Sequence, residues 1–151
     1  MPTIRPFLWF DTQAEEAMHL YTSVFERSRV ISVNQAHGRV MSVEFELEGQ
    51  PLMALNAGPH CTFNEAVSFL VACETQEEID RFWAKLTADG GSPGRCGWLK
   101  DRFGLSWQIV PSSLGRMLGD ADAGRASRVM NAMLEMDKLD LKRLQEAHAG
   151  E

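Results

Sequence analysis

Apolar residues recur along this chain in two similar runs, each starting at a strand spacing and passing into a helical one. Residues 4–10 and 66–73 are rich in Val, Leu, Phe and Trp and read as strands. Each leads into a segment with an acidic start and an apolar stripe at helical spacing. The stripes are Ala17, Leu20, Tyr21 and Val24 in the first run, and Ile79, Phe82, Trp83 and Leu86 in the second. Thr12 with Glu15, and Thr75 with Glu78, have the spacing of a capping box, in which both side chains satisfy free backbone N–H groups. Thr12-Gln13 through Leu20-Tyr21 reads like Thr75-Gln76 through Phe82-Trp83, so an internal repeat is predicted.

Strands are predicted after both helices. In the first half they cover residues 30–35, 40–47 and 51–56, with turns at His37-Gly38 and Glu48-Gly49-Gln50. Met41, Val43, Phe45 and Leu47 alternate with Ser42, Glu44 and Glu46, the period of a half-buried strand. In the second half, Gly90-Gly91 stops the helix, and residues 96–100 and 105–110 flank a turn at 101–104. A short strand near 91–95 completes the set, although Pro93 and Gly94 weaken it. Beyond Pro111, residues 112–118 and 122–147 are helical by composition, with a break near Asp137. The expected fold is α+β: duplicated β-α-β-β-β modules forming curved mixed sheets around a cavity, with C-terminal helices. One domain is expected, its halves at about 1–60 and 64–111 and its tail at 112–151.

Composition narrows the function classes. The chain has 151 residues, 44% hydrophobic and 24% charged, the balance of an ordinary folded domain. A formal net charge of −6 without a basic stripe argues against nucleic acid as a partner. No apolar run is long enough to span a bilayer, and the first residues lack a basic segment followed by an apolar one, so neither membrane nor secretion is expected. Cys61, Cys73 and Cys96 form no CxxC pair and are odd in number, which points to reduced thiols and a cytoplasmic location.

Three strings carry a family resemblance. They are Phe63-Asn-Glu-Ala-Val-Ser-Phe69, Cys73-Glu-Thr-Gln-Glu-Glu-Ile-Asp80 and Cys96-Gly-Trp-Leu-Lys-Asp-Arg-Phe-Gly-Leu-Ser-Trp-Gln-Ile-Val-Pro111, and the tail Arg128–Lys138 fits with them. The sequence resembles the PhnB-like branch of the vicinal oxygen chelate superfamily, the group of glyoxalases, bleomycin-resistance proteins and dioxygenases. That branch often carries the label 3-demethylubiquinone-9 3-methyltransferase. The label itself is not expected to hold. A methyl-donor site usually needs a glycine-rich turn between strand and helix, whereas Gly90-Gly-Ser-Pro-Gly94 follows a helix and contains a proline.

Metal-dependent members of the superfamily place one His or carboxylate on the first and last strand of each half. The internal repeat puts Arg5, Ala54, Ser68 and Gln108 near those positions, a poor set for a divalent ion. No metal or other cofactor is therefore expected. The cavity candidates are Phe7, Trp9, Met53, Asn56, Ser68, Trp98, Trp107 and Gln108, although strict alternation makes Trp107 and Gln108 face opposite sides. Cys73 and Cys96 read as buried, inert thiols. Met130, Met133 and Met136 give the tail an apolar face that packs on its own domain or on a second copy. The expected function is that of a homodimeric, metal-free protein binding a small molecule. The alternative is an isomerase, lyase or dioxygenase that recruits a metal through residues such as His60 or Glu44, and a third reading is an interaction module without a ligand.

Overall fold

Both predicted repeats are present as four-stranded mixed sheets, each with one helix packed on one face. The computed structural model describes residues 1–151 and divides them into two units, Met1–Thr62 and Phe63–Glu151. The first contains β1 (Phe7–Phe10), α1 (Ala14–Val24), β2 (Ser28–Ala36), β3 (Arg39–Leu47) and β4 (Gln50–Asn56). Its strands lie in the order β1-β4-β3-β2, with β1 parallel to β4 and the other pairs antiparallel. The second contains β5 (Ser68–Cys73), α2 (Gln76–Thr87), β6 (Ser92–Pro93), β7 (Trp98–Lys100) and β8 (Ser106–Pro111), in the matching order β5-β8-β7-β6. Neither sheet closes on itself.

Period-two alternation sorts each strand into two faces. Leu8, Phe10, Val43, Phe45, Leu52 and Ala54 are buried on the α1 side, where Tyr21 meets Phe45 at 6.3 Å between ring centroids. The hairpins turn at His37-Gly38 and Glu48-Gly49, all four residues with positive φ (54°, 74°, 47° and 87°), the backbone that tight two-residue hairpins require. Gln50, expected in the second turn, belongs to β4. Several strands, β1 and β5 among them, start later than expected. β1 begins after Pro6, which has no N–H for a sheet ladder. β5 begins at Ser68 because the Asn64 side chain accepts a hydrogen bond from the Ala66 N–H (2.9 Å), a local turn that competes with strand.

The second capping box forms: Thr75 Oγ1 accepts from the Glu78 N–H (3.2 Å), and Glu78 Oε1 accepts from the Thr75 N–H (3.3 Å). The first does not. α1 starts at Ala14, and no side chain of its own cap residue closes it. After α2 a 3₁₀ turn, Ala88–Gly90, leads to Gly91, where a Cβ would lie 2.7 Å from the Leu86 carbonyl oxygen. Only glycine fits there.

The turn between β7 and β8 is built around Asp101, 2% exposed. Its Oδ1 accepts from the N–H groups of Phe103 (2.9 Å) and Leu105 (3.1 Å), and its Oδ2 from Trp107 Nε1 (2.9 Å). The tail forms α3 (Leu114–Leu118), α4 (Ala123–Leu134) and α5 (Leu141–Ala149), broken around Asp137 as expected. At that break the carbonyls of Met136 and Asp137 accept from the N–H groups of Cys96 and Gly97, both at 2.8 Å. Met136 joins a core with Val110, Met117, Val129, Leu139 and Leu144, and Met133 packs against it. No helix is long and apolar enough to cross a membrane.

Replacing Asp101 by Ala strands two buried donors and a part-buried one, so it is expected to cost about 2 kcal/mol or more, at about 1–3 kcal/mol for each buried unsatisfied group. Urea unfolding followed by tryptophan fluorescence measures this. An unchanged midpoint would remove Asp101 from its structural role.

Candidate functional site

The chemistry-bearing side chains lie on the sheet faces turned away from α1 and α2. In the first unit the register sets up two rows there: Trp9, Leu55, Ser42 and Asn34, then Phe7, Met53, Glu44 and Ser32. The Arg5 guanidinium forms an ion pair with Glu44, whose other oxygen accepts from Ser32 Oγ (3.4 Å). Trp9 Nε1 donates to the Gly58 carbonyl (2.9 Å), and its ring meets His60 edge-on at 6.3 Å. Phe7 and Trp9 are exposed.

The second unit repeats the plan with different chemistry. Ser68, Ser106, Lys100 and Ser92 form one cross-strand row, and Leu70, Gln108 and Trp98 form the next. Gln108 Nε2 donates to Ser68 Oγ (3.0 Å), which leaves the serine proton and the Gln108 carbonyl oxygen for other partners. Lys100 forms an ion pair with Glu65, whose carboxyl is held below the usual carboxylate range chiefly by its hydrogen bond to Lys100. Glu65, residues 92–95, Trp98, Lys100 and Ser106 border a groove of about 480 Å³. Ser106 is 1% exposed, and its hydroxyl has no hydrogen-bond partner.

Of the sequence candidates, Phe7, Trp9 and Met53 share the helix-free face of the first sheet, and Ser68, Trp98 and Gln108 that of the second. Two candidates are placed otherwise. Trp107 lies in the core on the α2 side, its indole tied to Asp101 and its ring edge-on to Phe69 at 5.3 Å. Asn56 serves the backbone: its Oδ1 accepts from the Ala14 N–H (2.8 Å) at the start of α1, and its Nδ2 donates to the Val40 carbonyl (3.1 Å). A residue 42 positions away thus caps the helix that Thr12 was expected to cap. Ser92, Lys100 and Ser106 were missed. The signal for the last two was available: both fall at even steps from Trp98 and Gln108.

The family model described as 3-demethylubiquinone-9 3-methyltransferase matches residues 2–110. This chain belongs to that family. A PhnB protein from Bacillus cereus, described under the same methyltransferase name, is 35% identical, with a TM-score of 0.67 over 72% of this chain and 99% of that one. The fold is also that of protein PA1353 from Pseudomonas aeruginosa (20% identity, TM-score 0.60, covering 74% of this chain and 98% of that one). It is shared as well by the fosfomycin resistance protein FosX from Mesorhizobium loti (12% identity, TM-score 0.60, covering 79% and 98%). No curated protein matches.

The strand register tests the positions at which metal-dependent members of the resembled superfamily would place ligands. Phe10 pairs with Asn56 as Cys73 pairs with Pro111, so counting back along the strands matches Arg5 to Ser68 and Met53 to Gln108. Met53, rather than Ala54, is therefore the fourth member. A guanidinium, a thioether, a hydroxyl and an amide do not fit a divalent ion that takes His or carboxylate ligands. The alternative ligand Glu44 is already engaged by Arg5.

Cys73 is buried, and burial foremost pushes its thiol up to about 12. Cys96 was expected to be buried but is partly exposed, because it sits in a left-handed turn (φ 59°) ahead of β7. In the native protein iodoacetamide is expected to modify exposed Cys61 and to spare Cys73 until urea unfolds the chain. Mass mapping of the labelled peptides reads this, and native-state labelling of Cys73 would contradict its burial. For Asn56→Ala, loss of the cap is expected to cost about 1 kcal/mol, and Asn56→Asp, which keeps the acceptor, to cost less. Equal unfolding midpoints for the two variants would argue against capping.

Proposed function

We propose that this chain is a homodimer that binds a small molecule without a metal, on the helix-free faces of its sheets, and acts by sequestration. The observation that carries this is the Ser68–Gln108 pair beside Leu70 and Trp98. An amide carbonyl and a hydroxyl proton with no internal partner, next to an aromatic plane and an aliphatic side chain, make a surface for a small body with a polar edge. Self-association is supported by β2, an edge strand with Val30, Ile31 and Val33 exposed, and by exposed Met130 and Leu134 on α4. The three unpaired cysteines support a reducing, cytoplasmic setting, and the net charge of −6 weighs against nucleic acid.

Methyl transfer, the activity in the family's name, is not part of this reading. Gly91 and its neighbours follow α2 and serve close backbone packing, and the strand-to-helix turns at residues 11–13 and 74–75 contain no glycine. Native mass spectrometry of protein purified without chelators tests the proposal. A dimer carrying a small organic mass, lost in Trp98→Leu and Gln108→Leu, is expected. A monomer overturns the dimer, and a dimer with one divalent ion per chain moves a metal-dependent isomerase, lyase or dioxygenase to the front.

A further inference from the structure

Three serines and a lysine in one cross-strand row form an unusual line on a sheet face. Paired residues of neighbouring strands project to the same side, so Ser68, Ser106, Lys100 and Ser92 present three hydroxyls and one ammonium along about three strand spacings of 4.8 Å. The adjoining row offers Leu70 and Trp98 around Gln108. We infer that this row takes the oxyanion head of a small organic anion, while Trp98 and Leu70 hold its apolar body. The inference rests on the small-molecule reading above and names its ligand class.

Four observations converge on it. Ser106 is buried at the groove with no partner for its hydroxyl, and a buried hydroxyl without a partner is costly unless something supplies one. Ser68 accepts from Gln108 and so keeps its own proton to donate. Lys100 already holds an anion, the Glu65 carboxylate, at the mouth of the same groove. That pair is exposed at 42% and 61%, so solvent screens it and a better-placed anion can displace it. Arg95, which also lines the groove, is a second cation, exposed and paired with Asp137 at 3.7 Å, with its guanidinium donating to the Leu134 carbonyl (2.8 Å). Ser106 has Ser68 on one neighbouring strand and Lys100 on the other, and hydroxyl and ammonium donors at such spacing suit an oxyanion, because bonds to a charged acceptor are stronger than those to a neutral one. In the first unit the corresponding face pairs Arg5 with Glu44 and Arg29 with Glu46, cations already matched by carboxylates. Only the second sheet carries the serine row.

Inorganic phosphate is the probe, titrated calorimetrically into the purified full-length protein at constant ionic strength set with chloride. Saturable binding is expected, weakened about tenfold or more by Lys100→Met and several-fold by Ser106→Ala. Glu65→Gln removes the competing carboxylate and is expected to tighten binding about threefold, a gain that no folding defect can imitate. Absence of saturable phosphate binding overturns the inference, as does phosphate affinity unchanged in both Lys100→Met and Glu65→Gln. Benzamide, a neutral aromatic amide, separates the two readings. Benzamide binding lost in Trp98→Leu, with no phosphate binding, overturns the oxyanion assignment and leaves the small-molecule reading standing. Phosphate binding that follows the expected variant order upholds the assignment even where benzamide and native mass spectrometry find no organic ligand.

Discussion

The Asp101 carboxylate sets the register of the β7–β8 hairpin, and the helix-free face of the second sheet depends on that register. One oxygen collects the N–H groups of Phe103 and Leu105 and so shapes the turn, while the other holds the indole of Trp107 on the core side. Side chains alternate across a strand, so a slip of one residue would carry every one of them to the opposite face. With Trp107 held inward, Ser106 and Gln108 must point outward, and Lys100 and Trp98 are brought opposite them. The specific-looking string from Lys100 to Gln108 is thus explained by a turn and its anchor. Asp101 and Trp107 serve the fold, and Lys100, Ser106 and Gln108 are left on the helix-free face.

The two halves share a topology but solve the same local problems differently. Each has a helix whose first N–H groups need acceptors. α2 finds them in its own Thr75 and Glu78. α1 finds one in Asn56, at the end of the strand parallel to β1, where the second half has Pro111, which has no side-chain oxygen to offer. The outer and inner strands of the two halves diverge in the same way. The first half spends Arg5 on Glu44, and the second sets a hydroxyl against an amide.

Local patterns in the chain were enough for the element order, the duplicated plan, both glycine-containing hairpins and the break in the tail near Asp137. Those features are encoded by spacing within a few residues. Asn56 could not be assigned, because its partner Ala14 lies 42 residues away and any asparagine at a strand end looks like a turn or a site. Trp107 misled for a related reason. A tryptophan beside Gln108 suggests a binding wall, and only the buried carboxylate six residues earlier shows that it is core. Alternation from Trp98 and Gln108 gives the face of Lys100 and Ser106, but it does not join them into a row. Their meaning is two-dimensional, arising only when strands lie side by side.

The family match ends at residue 110, yet the fold of this chain does not. Gly97 has a positive φ of 85°, and a Cβ there would lie 2.9 Å from the Ile109 carbonyl oxygen and 3.1 Å from the Leu139 side chain. Its N–H and that of Cys96 are satisfied by tail carbonyls, and Gln76, the first residue of α2, bonds both Leu139 and Leu141. The tail thus supplies backbone acceptors to the family segment and packs apolar side chains against Val110. What could be taken for a terminal appendage is an internal part of the second unit, tied to the shared segment by backbone hydrogen bonds and a common core.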